Sequence, residues 1–347
     1  MNKDILQEKI AYNALNVYFK SNFPVLADLL KLHGSWQSVM LKEKVSIDGE
    51  GLFDELGKIG VDLVLLNERN FPESLRKIVN PPLGLYFRGC LPAKDAKMIG
   101  FVGTRKAGSA GLDVAYKFAS DVSRSGGVVV SGLAFGVDSA SAQGAVDTGG
   151  ATIAVLAVGL DEVYPAQNTG LADAIIKGGG ALISEYPIGS ISYASCFIAR
   201  NRIIAGLGKA LVVVEAPFRS GSISTANFAN KFERVVFAVP GAINNPNYAG
   251  SNDLIENGKA KLLTSSKELI RLIGGSKKTR QKALTELSTL DKNCKIILTV
   301  LISVAESIHP DMIAQECDLD LSTVNQALSD LVLEGLVGET AGRYRAL

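Results

Sequence analysis

Four arginines stand beside turns in the middle of the chain: Arg105 in "VGTRKAG", Arg200 and Arg202 in "CFIARNRIIAGLG", and Arg219 in "APFRSGSISTA". A guanidinium is a planar, permanently charged donor fork that suits carboxylate and phosphate oxygens. Small residues keep the arginines company: Gly103 and Thr104, Ser131 and Gly132, Ser220, Gly221, Ser222 and Thr225, and Gly241 with Asn252. Such residues bring hydroxyls and backbone N–H groups close to an anion. Other chemistry is scarce. The only histidines, His33 and His309, lie outside the long central region, which removes a Ser-His or Cys-His pair and a histidine-rich metal site from it. Cys90, Cys196, Cys294 and Cys317 form no C-x-x-C pair and read as buried or incidental thiols.

The spacing of Ala199, Ile203 and Leu207 predicts a helix that carries Arg200, Asn201 and Arg202. Residues two apart on a helix face nearly opposite sides, so the two arginines are expected to do different jobs. A guanidinium near a helix start is disfavoured unless an anion lies close, and one is expected there.

The elements around these residues are legible from patterning. The 347 residues are 47% hydrophobic and 20% charged with a net charge of +1, so a nucleic-acid partner would need a local basic patch. No apolar run approaches the ~20 residues that span a bilayer, and a cytoplasmic protein is expected, with no membrane partner. Residues 1–66 read as short helices without strand alternation. From about Met98, six near-continuously apolar strands alternate with helices: "KMIGFVG", "GVVVSG", "ATIAVLAVG", "GALISE", "ALVVVEA" and "RVVFAVPG". This predicts an α/β fold, a doubly wound, mostly parallel sheet with function at the carboxyl ends of its strands. A basic linker at 276–282 leads to a segment at 283–347 with the proportions of a winged helix. From Ala283 onward there are four Lys and Arg against ten acids, a balance of −6, so this module reads as a packing or protein-contact unit more than a duplex reader.

The first strand runs into "FVGTRKAGSAG", whose glycines at 103, 108 and 111 are not G-x-G-x-x-G, and the second strand lacks the ribose-binding acid at its tip. With no G-K-[ST] loop either, nicotinamide and ATP chemistry are not expected, and no cofactor, metal or catalytic residue is assigned. Asp138 is expected to cap the helix that follows the second strand. Two anion classes fit the collected arginines. A small phosphate compound needs one deep pocket and a catalytic acid or base, whereas a strand of phosphates needs a track with flat side chains for its bases. Phe197 and Phe218, interleaved with the arginines, favour the single strand.

Taken in order, "FPESLRKIVNPP", "VGTR", "SGLAFGVD", "YPAQN", "ALISEYP", "FIARNRIIAGL", "VVVEA", "SGSISTA", "AVPG" and "GSNDLIENG" resemble the DNA-processing protein A family (DprA, also called Smf) from about Phe71 to Ala260. The resemblance implies a helical SAM-like N-terminal domain (1–66), an extended Rossmann-like domain (67–275) and a winged-helix domain (283–347). It also implies a homodimer without enzymatic activity that binds single-stranded DNA in natural transformation, protects it and loads RecA recombinase. By that likeness Arg105 clamps a phosphate on the Gly103–Thr104 turn, and Phe197 stacks on a base. Arg200 and Arg202 divide between DNA contact and fixing the loop, and Arg219 meets a phosphate. The sequence departs from the family's pattern at Phe135 and Gln143, where the family usually has arginine and histidine; the first change takes a charge from the track and the second a pH-sensitive contact. The alternative reading, a nucleoside-monophosphate phosphoribohydrolase of related fold, requires a glutamate three residues after Thr225, and this chain has Phe228 there.

Overall fold

The computed structural model describes residues 3–274, 291–304, 307–334, 336–340 and 342–346. The chain divides into two compact units, residues 1–275 and 276–347. The basic linker expected at 276–282 lies outside the described residues.

The first unit opens with helices α1 (Lys3–Tyr18), α2 (Phe23–His33), α3 (Trp36–Lys42) and α4 (Gly49–Lys58), then strand β1 (Asp62–Leu65), α5 (Glu73–Arg76) and β2 (Gly84–Gly89). The alternating part follows: β3 (Met98–Val102), α6 (Ser109–Arg124), β4 (Val128–Ser131), α7 (Val137–Val146), β5 (Thr152–Leu156), α8 (Thr169–Lys177) and β6 (Ala181–Ser184). It continues through α9 (Ala194–Leu207), β7 (Ala210–Val213), α10 (Gly221–Lys231), β8 (Val235–Ala238), α11 (Ala249–Glu256), β9 (Lys261–Leu262) and α12 (Lys267–Ile273). The strands form one sheet in the order β1-β2-β6-β5-β4-β3-β7-β8-β9. Its seven strands from β6 to β9 are parallel, and β2 joins antiparallel to both β6 and β1.

Period-two alternation divides each strand between two cores. On β3, Met98 and Val102 enter a cluster with Ile203, Ile204 and Leu207 of α9 and Ala226 and Ala229 of α10. Ile99 and Phe101 enter the opposite one, with Ala115, Phe118 and Val122 of α6. Both faces are therefore covered, which is why the strands read as unbroken apolar runs. Each fully buried Leu, Ile or Phe contributes about 1.5–3 kcal/mol of burial, which anchors α9 and α10 firmly beneath the edge where their polar ends emerge.

Residues 62–65, read from sequence as the tail of the helical segment, are an edge strand paired with β2 in the register Leu63↔Tyr86. Their three apolar side chains are buried on both faces, so no alternation betrays the strand. The helices before it pack on the sheet within the first unit: Tyr12, Leu15, Leu26 and Trp36 share a core with Tyr86 and Leu182.

In the second unit, α13 (Lys292–Ser303), α14 (Pro310–Cys317) and α15 (Leu321–Leu333) precede the hairpin of β10 (Val337–Thr340) and β11 (Arg343–Ala346). Ile297, Leu301, Ile313, Val324, Leu328 and Leu331 make its core. Asp320 caps α15 by accepting from Thr323 N.

Candidate functional site

From β3 the chain winds one way through β4, β5 and β6, and from β7 it winds the other way through β8 and β9. The reversal leaves a crevice at the carboxyl ends of the adjacent strands β3 and β7, the place where open α/β sheets hold ligands. A cleft of about 380 Å³ lies there. Gly103, Thr104 and Arg105 line it from the end of β3, Phe197, Arg200 and Asn201 from α9, and Ser220, Gly221, Ser222 and Thr225 from the start of α10. Of the other residues expected at the site, Ser131, Gly132, Arg202, Arg219, Gly241 and Asn252 are not on its wall. Lys106, Asp138 and Ile198 are, although no local pattern places the first and third in the track.

The turn after β3 already holds an anion of the protein's own. Thr104 N donates to the Glu215 carbonyl (2.6 Å), and Gly108 N, at the start of α6, donates to the Glu215 carboxylate (3.2 and 3.3 Å). A Cβ at Gly111 would come within 2.0 Å of Glu215 Oε2, so glycine there admits the carboxylate. Asn247 Nδ2 donates to the same carboxylate at 2.8 Å. A phosphate expected on this turn therefore does not sit on the α6 N-terminus, and the turn's contribution to the cleft is Arg105, whose side chain is exposed.

The start of α10 is open. Ser220 makes no side-chain cap, and the N–H groups of Gly221 and Ser222 donate to no described residue. Unpaired N–H groups at a helix N-terminus favour a negative ligand. Asn201 Nδ2 donates to the Gly221 carbonyl (3.2 Å) and Thr225 Oγ1 donates to the same oxygen (3.1 Å), holding this turn against α9.

The two arginines of α9 do face different ways: Arg202 pairs with a buried carboxylate and Arg200 with a backbone carbonyl. The helix begins at Ala194, so neither stands at its start as expected. Arg200 is 5% exposed and donates through Nη1 to the Val155 carbonyl at 2.6 Å, while its buried Nε has no partner. A Cβ at Gly132 would lie 1.7 Å from that Nη1, so glycine at 132 leaves room for the guanidinium where it sits. Asp138 is buried beside it. Burial pushes the Asp138 carboxyl up to about 6, against the pull of Arg200 and of the Gly132 and Ala134 N–H groups. Burial likewise holds Arg200 below its ordinary value, with Asp138 opposing. Asp138 does not cap α7, whose N-cap is Gly136 at φ 77°; its Oδ2 accepts from Gly132 N (3.0 Å), and Ser131 Oγ donates to its carbonyl (3.2 Å). Asp138 thus ties α7 to the end of β4.

Arg202 leaves the cleft altogether. Its Nη2 donates to both oxygens of Glu185 (2.6 and 2.7 Å), a residue 1% exposed just past β6. Asn16 Nδ2 of α1 donates to the Glu185 carbonyl and to Tyr86 Oη, which in turn donates to Asn13. This buried network fastens the first helix to α9. Arg219, exposed, occupies a left-handed turn at φ 56° just before α10, next to the exposed Phe218. Gly241 and Asn252 exchange a reciprocal pair of hydrogen bonds (3.2 and 3.0 Å), and a Cβ at Gly241 would strike the Tyr248 ring at 2.0 Å. They brace the loop after β8.

Phe197 is half-buried at the mouth of the cleft. The Arg105 guanidinium carbon lies 5.3 Å from its ring centroid, and Tyr164, 51% exposed, meets it edge-on with centroids 5.6 Å apart. A cation within about 6 Å of a ring is attracted by its quadrupole. Tyr164, in the "YPAQN" stretch, carries no periodic signal because it is an exposed aromatic. Phe135 is exposed and off the cleft's wall. Gln143 donates to Asp147 (2.6 Å), which also accepts from Tyr116 Oη, so this position serves the packing of α7 on α6.

Residues 62–274 match the family model of DNA recombination-mediator protein A, and the chain belongs to that family. The protein Smf of Escherichia coli is 32% identical over 293 residues, 81% of this chain and 76% of that one. The protein Smf of Synechocystis is 39% identical over 60% of this chain, an alignment that spans only 53% of the relative's length. The crystal structure of DNA processing protein A from Streptococcus pneumoniae aligns with a TM-score of 0.60 at 35% identity, covering 67% of this chain and 81% of that one. A solved structure of DNA processing protein A from Helicobacter pylori, described for its single-stranded DNA binding mode, aligns with a TM-score of 0.55 at 27% identity, covering 61% and 94%.

Proposed function

We propose that the cleft between β3 and β7 binds single-stranded DNA, with backbone phosphates at Arg105 and at the open first turn of α10, and a base stacked on Phe197 beside Tyr164. The observation that carries this reading is the Arg105–Phe197 pair. A guanidinium held over a half-exposed ring offers a charge and a flat apolar face side by side, the two things that successive nucleotides of an unpaired strand present in return. A phosphate contact and a stacking face read no base identity, so binding through this pair is indifferent to sequence. Lys106, at the cleft, and Arg219, on the turn before α10, extend the charge along the rim. Ser220, Gly221, Ser222 and Thr225 shape the α10 turn; Gly103 and Thr104 shape that of β3. Ser131, Gly132, Arg200 and Asn201 hold the walls, and Arg202, Gly241 and Asn252 support them from behind.

The single-stranded DNA reported for the Helicobacter pylori relative agrees with this reading. In the wider role we infer, a cytoplasmic homodimer coats incoming strands during natural transformation, protects them and passes them to RecA recombinase, its winged-helix unit serving protein contact. No reaction is assigned. The phosphoribohydrolase alternative needs a carboxylate where this chain has Phe228, a side chain that stacks on Phe232 at 6.0 Å.

Fluorescence anisotropy with labelled oligothymidine and a matched duplex, at two salt concentrations, tests the reading. The wild type should prefer the single strand, with a salt slope of roughly −0.7 per phosphate contact, and Arg105→Ala should bind more weakly with a shallower slope. Equal affinity of wild type and Arg105→Ala, or a preference for duplex, would overturn it.

A further inference from the structure

A larger cavity, of about 730 Å³, opens at the other end of the sheet, where the parallel strands begin. Three neighbouring strands carry a cation immediately before their first residue: Lys97 before β3, Lys209 before β7 and Arg234 before β8. The register Ile99↔Ala210↔Val235 sets them side by side, and strands ~4.8 Å apart place the row within roughly 10 Å. No carboxylate pairs with any of the three among the described residues. Lys209 is instead pushed down by the neighbouring Lys97 ammonium, and Arg234 by burial alone. Arg234 spends Nη2 on the carbonyls of Ser74 (3.1 Å) and Gly206 (3.2 Å), and its buried Nε has no partner. Of the two acids on the wall, Glu73 is taken up by Arg76 and Lys77. Phe87 and Leu91 give the cavity an apolar side.

Like charges held together without a counter-ion cost free energy that a bound anion recovers. We propose that this amino-edge cavity is a second phosphate-binding site, taking the phosphate of a nucleotide on Lys97, Lys209 and Arg234 with the nucleoside against Phe87 and Leu91. The phosphate can belong to a free nucleotide or to a DNA strand that runs past the carboxyl-edge cleft. The site does not depend on the function proposed for that cleft.

Calorimetric titration of the full chain with ADP, and anisotropy with a long oligothymidine, tests it on wild type, Lys97→Ala/Lys209→Ala and Arg105→Ala. Loss of at least fivefold in ADP affinity in the double variant supports a free nucleotide. Loss confined to the oligothymidine, with the salt slope reduced by about 1.4 for two contacts, supports strand phosphates. The oligothymidine loss should add to that of Arg105→Ala, since the sites lie at opposite edges, and a loss of ADP affinity should be confined to the double variant. Lys97→Gln/Lys209→Gln repeats the measurement with side chains of similar reach. ADP and oligothymidine bound equally by wild type and both double variants would overturn the proposal, even if Arg105→Ala weakens the strand.

Discussion

Arg202→Ala should unfold the protein more easily and leave its affinity for a DNA strand unchanged once folded. The family resemblance allows either α9 arginine to touch DNA, whereas the geometry commits Arg202 to Glu185 through two hydrogen bonds at 2.6 and 2.7 Å. Removing the guanidinium strands a carboxylate that is 1% exposed, a loss of about 3–5 kcal/mol for a broken buried pair. For a domain of this size each kcal/mol lowers Tm by about 2–4 °C, so the drop should be about 6–20 °C. Its pH dependence identifies the cause. Burial raises the Glu185 carboxyl and Arg202 pulls it back. Without Arg202 the rise is unopposed, and a group whose folded pKa exceeds its unfolded value stabilises the fold below the unfolded value and loses that contribution as pH climbs. The penalty should therefore be smallest near pH 4–5 and largest above neutrality. Differential scanning calorimetry across that range measures it, with strand anisotropy at a temperature where the variant is folded. An unchanged Tm together with weakened strand binding would refute the assignment and return Arg202 to the DNA track.

Phe197→Ala should weaken strand binding by ~1–3 kcal/mol for one lost stacking contact, equally for all base compositions, with Tm nearly unchanged because the ring is half-exposed; a large fall in Tm without loss of affinity would make Phe197 a core residue. Asp138→Asn should flatten the pH dependence of stability in acid. The carboxyl lies near 6 when folded against an ordinary 3.8, so the native state holds the extra proton between those values, and wild-type stability falls by about 3 kcal/mol as pH rises through them. Urea unfolding at pH 4 and pH 7 measures this, and parallel curves for wild type and variant would contradict it.

Six of the seven parallel strands were readable because both faces of each are buried, and that same double burial concealed β1. Leu63, Val64 and Leu65 have neither the alternation of a half-exposed strand nor the length of the central runs. The arginine-rich edge was readable by residue type, but pairing across the fold was not. Glu185 and Glu215 appear in the sequence as strand-end acids in "ISEYP" and "VVVEA", and nothing local says that one receives Arg202 and the other fills the α6 N-terminus. Gly111 and Gly132 are visible as glycines, yet the carboxylate and guanidinium they make room for lie more than sixty residues away. Asp138 sits where capping acids sit, and only the return of α7 against β4 reveals its bond to Gly132.

The burial of the α9 arginines bears on what kind of anion the edge can hold. A small phosphate compound is gripped by donors that converge from a closed wall, and here the two buried guanidiniums are already spent, Arg200 largely on the Val155 carbonyl and the field of Asp138, Arg202 on Glu185. The cationic side chains left exposed, Arg105, Lys106 and Arg219, stand around the rim on two different turns. Charges spread along an edge cannot close on one phosphate, but they can each meet a different phosphate of a chain laid across them, while Phe197 and Tyr164 occupy a base between. The buried arginines serve this arrangement indirectly. Arg200 fixes the end of β5 beneath the cleft, and Arg202 fixes the helix that carries Phe197; under the proposed function the stacking face is then in place before a strand arrives, and little ordering entropy is lost on binding.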